Sequence, residues 1–150
     1  MRIANIDPQS DIALSLLREA AAEIRPMYGA DASSPWPRNP PLGSRDVYLV
    51  GFEGSDAVAC GAIREIDRET CEVQRLYVLR SFRRRGFARQ VLSHLHAEAK
   101  RLGYRRIRLE TGCRQAPAIR LYEACGYSRI EPFGEYVSDP TSVCYEMGLG

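Results

Sequence analysis

The stretch that decides the fold is Glu72-Val-Gln-Arg-Leu-Tyr-Val78, followed by Leu79 to Phe82 and then by Arg83-Arg84-Arg85-Gly86-Phe87-Ala88. The first part reads as a strand. The last part opens a segment, Gly86 to Leu102, whose Phe87, Val91, Leu92, Leu95, Ala99 and Leu102 share one helical face and which Gly103 terminates. A strand therefore feeds a turn that opens a helix, with three arginines in the turn and a glycine at the helix start. Exposed N–H groups and the positive end of the helix dipole attract anions, and a residue without Cβ lets an anion come close to the backbone. The segment reads as a pyrophosphate cradle. It is not a P-loop, because no G-K-[ST] is present, nor a dinucleotide fingerprint, because Gly86 stands alone.

Upstream, Val47 to Phe52 and Ala57 to Ile66 read as strands joined by the turn-rich Glu53-Gly54-Ser55-Asp56. With Cys71 to Val78 they predict three antiparallel strands side by side. Arg2 to Ile6 reads as a strand, and Asp7-Pro8 as the cap of a helix bearing Ile12, Leu16, Leu17, Ala20 and Ile24, limited by Pro26. Gly29 to Ser44 carries Pro35, Pro37, Pro40 and Pro41 around Trp36, and reads either as a lid or as a surface loop with one packed tryptophan. Downstream come a strand at Arg106 to Thr111, a helix at Gln115 to Cys125 ended by Gly126, and strands at Tyr127 to Ile130 and Ser142 to Leu149. The order is β, α, three β, α, β, α, β, β. Residues 1–150 show no repeat and no internal boundary, so a single domain is expected.

Composition agrees. Of 150 residues, 45% are apolar and 27% charged, which excludes disorder and collagen and fits one globular domain. No apolar run approaches a membrane span, and Met1 to Ser10 lacks the pattern of a signal peptide, so a cytoplasmic protein is expected. Five scattered cysteines, with no C-x-x-C pair and no histidine at zinc spacing, read as free, mostly buried thiols without a metal. His94 and His96, two apart on a helix, make no metal pair. Lys+Arg of 21 against Asp+Glu of 19 is too balanced for nucleic-acid binding by bulk charge. The arginines nevertheless bunch between Arg75 and Arg108.

The pattern Arg83-x-x-Gly86-x-Ala88 resembles the coenzyme A signature [R/Q]-x-x-G-x-[G/A] of the GCN5-related N-acetyltransferase (GNAT) family. About 35 residues on, Ala118-Ile-Arg-Leu-Tyr122-Glu-Ala-Cys-Gly126-Tyr127 is similar to that family's A-x-x-L-Y-x-x-x-G-[F/Y] helix. The element order also matches. The resemblance implies an α/β (α+β) fold with a mixed, mostly antiparallel sheet in which Glu72 to Val78 splays from the parallel strand Arg106 to Thr111. Pantetheine would enter the gap and pair with backbone around Leu76, Tyr77 and Val78. The pyrophosphate would rest on Arg84, Arg85, Gly86, Phe87 and Ala88, with Arg83, Arg84 or Arg89 adding charge, and Gln115 and Ala118 would complete the acetyl-CoA site. Gln115 stands where relatives often have asparagine.

The same resemblance implies an acetyl-CoA-dependent N-acetyltransferase in which Tyr122 protonates the departing thiolate, with its phenol near its ordinary pKa of about 10. Glu72 falls at the position of a general base in some members. Its other reading is a surface ion pair with Arg75 or Arg64. Glu110, at the carboxyl end of the parallel strand, is the second candidate base; alternation puts it beside Arg106 and Arg108, where an ion pair is the competing role. The acceptor amine, of a small molecule or of a protein, would meet Tyr28, Glu110, Glu135, Tyr136 and Asp139, with Arg25, Met27 and Arg114 nearby. The acidic members favour a cationic amine, whereas the arginines favour a carboxylate. A homodimer is compatible with the family. Two other functions stay open at this point: a non-catalytic coenzyme A sensor using the same cradle, and an arginine-rich nucleic-acid-binding domain.

Overall fold

The computed structural model describes residues 1–29 and 38–150. Trp36 and the middle of the proline-rich loop, and with them the choice between lid and packed loop, lie outside the described residues. Seven strands form one sheet: β1 (Arg2–Asn5), β2 (Val47–Glu53), β3 (Asp56–Glu65), β4 (Thr70–Val78), β5 (Arg106–Gly112), β6 (Ser128–Ile130) and β7 (Ser142–Gly148), in the order β1-β2-β3-β4-β5-β7-β6. Every neighbouring pair is antiparallel except β4 with β5. Helices cover both faces. On one, α2 (Phe87–Arg101) packs Val91, Leu92, Leu95 and Ala99 against Ile63, Val73, Ile107 and Leu109, joined by Tyr122 of α3 (Ala116–Ala124). On the other, α1 (Asp11–Ile24) packs Ala13 and Leu16 against Tyr48, Val50, Cys60 and Tyr77.

The predicted order of elements holds, and boundaries move by a residue or two. Asp7-Pro8 does not cap α1. Ser10 does, its hydroxyl accepting from the Ala13 N–H at 3.3 Å, while the Asp7 carboxylate turns back to the Gln9 N–H. Three short 3-10 turns, Arg25–Tyr28, Arg80–Phe82 and Gly134–Tyr136, have no counterpart in the sequence reading.

The parallel pair is brief. β4 and β5 share register only from Thr70 and Arg106 to Val73 and Leu109. Beyond that point each keeps its outer neighbour, β4 through Cys60↔Tyr77 and Ala59↔Val78, β5 through Glu110↔Cys144 to Gly112↔Ser142, and the inner edges part. A bulge in β4 accompanies the parting: its register on β3 shifts between Cys60 and Ala62, and Arg75 takes the left-handed conformation at φ 60°. Gly61 faces the bulge under α2, where a Cβ would stand 2.9 Å from Val91 and 3.0 Å from Leu95.

Candidate active site

The strand gap opens into a cleft of about 320 Å³, walled by Leu16, Ala20 and Ile24 of α1, by Val73 to Tyr77 of β4, by Glu110 and Thr111 of β5, and by Gln115, Ala118 and Tyr122. At one end lies the arginine turn. Arg84 and Gly86 both take left-handed backbone, at φ 64° and 78°, and Gly86 is the N-cap of α2, so no side chain caps the first N–H groups of that helix. A Cβ on Gly86 would meet nothing within 4 Å. The space beside the helix tip is open. Among the described residues Arg84, Arg85 and Arg89 are exposed and have no carboxylate partner, with Arg85 lying 5.3 Å over the Phe82 ring.

Arg83 is placed differently from its neighbours. Its Nε donates to the Val78 carbonyl at 3.0 Å and its guanidinium pairs with Glu23 of α1 at 2.7 Å. Glu23 also accepts from the Tyr77 hydroxyl at 3.0 Å. The first arginine of the signature therefore fastens α1 to the end of β4. The Tyr77 side chain lies on the α1 face of the sheet, leaving only its backbone toward the gap, and the Phe87 side chain is buried in the α2 core.

Tyr122 is 6% exposed, yet its hydroxyl has no hydrogen-bond partner among the described residues. Among the described residues no fully buried side-chain polar atom lacks a partner, so this oxygen opens to the cleft it lines. Its ring is held edge-on by Tyr127, whose hydroxyl is 2.7 Å from His96 Nε2. His96 is half-buried, and burial holds its imidazole below its ordinary pKa. Burial, then the charges of Glu110 and Cys125, push the Tyr122 phenol well above the ordinary tyrosine value rather than leaving it near 10. A phenol shifted that way is protonated near neutral pH and has a proton available to donate.

The two candidate bases occupy different places. Glu110 lines the cleft with Tyr122. It meets no arginine: Arg106 pairs with Glu69 and Arg108 with Glu146, and Glu110 instead accepts from the Ser142 hydroxyl at 2.6 Å. Glu72 stands one pleat behind Gln74 on the same face, 9% exposed, and accepts from the Tyr136 hydroxyl at 2.5 Å. It too lacks the expected ion pair, because Arg64 goes to Asp46 and Arg75 to Asn39 and the Arg38 carbonyl. Burial raises both carboxyls, aided at Glu72 by Glu135 and Glu110 and at Glu110 by Asp139 and Glu135. Glu135 and Asp139 themselves are exposed.

The family model of the acetyltransferase (GNAT) family matches residues 13–127. The chain belongs to the GNAT family. It is 39% identical over 103 residues to the N-acetyltransferase YsnE of Bacillus subtilis, 67% of this chain and 68% of that one. It is 33% identical over 150 residues to the IAA acetyltransferase of Azospirillum brasilense, 98% of this chain and 97% of that one. A candidate acyl-CoA N-acyltransferase of Klebsiella pneumoniae has the same fold, with TM-score 0.82 at 28% identity over 99% of this chain and 97% of that one. As a GNAT acetyltransferase, the protein uses acetyl-CoA as its acetyl donor.

The residues present fit that donor: an uncapped helix tip with open space at Gly86 and, among the described residues, three arginines beside it without a carboxylate and a strand edge from 74 to 78 without a partner on the β5 side. Gln115, at the N-cap of α3, has no side-chain capping bond and lines the cleft. Tyr28 has a structural place. Its ring covers Gly112, where a Cβ would fall 1.7 Å from its hydroxyl oxygen, and that oxygen accepts from the Arg114 backbone N–H. Arg114 reaches back to the Met27 carbonyl, while Arg25 lines the cleft. Cys60, Cys71 and Cys144 are buried, whereas Cys113 is exposed and Cys125 half-buried; burial pushes Cys60 to about 11 and Cys71 to about 12, so those two remain thiols. The sequence reading missed Glu23, whose link to Arg83 spans 60 positions, and the left-handed Arg75, which no glycine marks.

Proposed function

We propose that this acetyltransferase acts on a primary amine of a small molecule, with Tyr122 and a cleft carboxylate doing the proton chemistry. The observation that carries the reading is the joint placement of an unpartnered phenol and the Glu110 carboxylate in the gap between β4 and β5. Bound acetyl-CoA supplies the acetyl thioester. The amine, having released its ammonium proton to solvent, attacks as the neutral base: its nitrogen forms a bond to the acetyl carbon as the carbon–sulfur bond breaks. Its proton goes to Glu110, whose raised affinity suits a base working closer to neutral pH. Tyr122 donates to the departing sulfur, and the proton on Glu110 then restores the phenol, so coenzyme A leaves as the free thiol. Glu72, which the family pattern favours, lies one pleat further back and is held by Tyr136.

The arginine stripe that a nucleic acid would need is largely neutralised in place, Arg83 by Glu23, Arg101 by Glu98, Arg106 by Glu69 and Arg108 by Glu146. Thiol release from acetyl-CoA over a panel of amines, with the acetylated product identified by mass, tests the function. Transfer to at least one amine is expected. Tight acetyl-CoA binding with no thiol release from any acceptor would make the protein a sensor instead.

A further inference from the structure

Elsewhere in this chain a shielded carboxylate has an arginine. Asp46, with its side chain 10% exposed, pairs with Arg64, and Glu23, at 15%, pairs with Arg83. Glu72 and Glu110 break the pattern. Both are sheltered on the same face of the sheet, their donors among the described residues are neutral, Tyr136 and Gln74 at Glu72 and Ser142 at Glu110, and Arg64, Arg75, Arg106 and Arg108 are engaged elsewhere. Glu135 and Asp139, from the connection before β7, add two more negative charges to the same field. Withdrawing carboxylates from water without a cation is costly, and the cost falls when a cationic ligand arrives. Independently, Tyr122 is 6% exposed and its hydroxyl opens unpartnered into the cleft that Glu110 lines, beside the place the reaction above gives the thioester.

We infer that the acceptor is a small diamine, dicationic in water, whose reacting nitrogen gives up one proton to solvent before it attacks and whose second, non-reacting charge, a few carbons away, is taken by Glu72 and Glu135. The inference rests on the acetyltransferase reading above and names its substrate class. Glu72 faces Arg108 in the parallel register, so Glu110 lies two residues further along. That offset is roughly 7 Å along the strands, a span bridged by a chain of about four or five methylenes. Arg25 lines the same cleft, so an acceptor ending in a carboxylate is the direct competitor.

The test compares cadaverine, n-pentylamine and δ-aminovalerate, which share a reacting end and differ in the far one, as acceptors for the full chain with acetyl-CoA. A lysine peptide blocked at its N-terminus and IAA complete the panel. Thiol release and product mass are read together. Cadaverine is expected to exceed n-pentylamine in kcat/KM about tenfold, mostly through KM, with δ-aminovalerate below both. Glu135→Gln and, separately, Glu72→Gln should each bring the cadaverine to pentylamine ratio toward one; Glu135 is exposed, so its variant should fold. Pentylamine equal to cadaverine, or aminovalerate, the peptide or IAA as the best acceptor, overturns the dication while leaving the acetyltransferase standing. No thiol release with any acceptor overturns both.

Discussion

In the proposed reaction Tyr122 and Glu110 carry the chemistry, and each can be removed almost isosterically. Tyr122→Phe deletes one donor aimed at the leaving sulfur and should lower kcat by about a hundredfold while leaving acetyl-CoA affinity nearly unchanged. Calorimetry and steady-state kinetics check the split. Glu110 must be ionised to take a proton, and its pKa is raised, so activity should fall with decreasing pH at a point above the ordinary glutamate value of 4.5. Glu110→Gln should remove that acid limb. Glu72→Gln should keep it. The reverse outcome would transfer the base to Glu72. The bare, left-handed helix start at Gly86 and the cleft position of Tyr122 were legible because each belongs to a local pattern. The partners of Arg83, Glu72 and Glu110 were not, because Glu23, Tyr136 and Ser142 are brought to them from distant segments.

Among the elements, β4 does most to make the site. Its first half joins β5 in a parallel ladder, and its second half is turned away beyond a bulge that Gly61 accommodates. Gly61→Ala would press a methyl against Val91 and Leu95; overpacking of this kind costs about 1–3 kcal/mol, measurable by denaturant unfolding, and should weaken acetyl-CoA binding by disturbing Leu76. Gly86→Ala faces no clash but holds a left-handed φ that costs an L-residue about 1 kcal/mol, and its methyl would project into the open space at the helix tip. A modest loss of stability with a larger loss of acetyl-CoA affinity is expected. The strands and helices were readable from periodicity and turn residues. The bulge was not, because Arg75 carries no sequence mark of a left-handed residue, and the 3-10 turns are too short to set a period.

Over the whole molecule, the sheltered carboxylates set stability against function. A carboxyl whose folded pKa is raised binds more protons folded than unfolded, so its contribution to stability declines as pH rises from its unfolded toward its folded value. Glu110→Gln should therefore raise the melting temperature at pH 8, and that advantage should fade below pH 4.5. The layered architecture was legible because each element's apolar face matches the layer it packs on, with α2 and α1 covering opposite faces of one sheet. The diverging ends of β4 and β5 and the bare tip of α2 would together hold the acetyl donor. A crystal structure of the chain with coenzyme A bound tests it most directly. The pantetheine arm should run along the β4 edge between 74 and 78 with the diphosphate against the N–H groups of 84–88 and the sulfur beside the Tyr122 hydroxyl. Coenzyme A bound elsewhere, with β4 and β5 closed on each other, would contradict it.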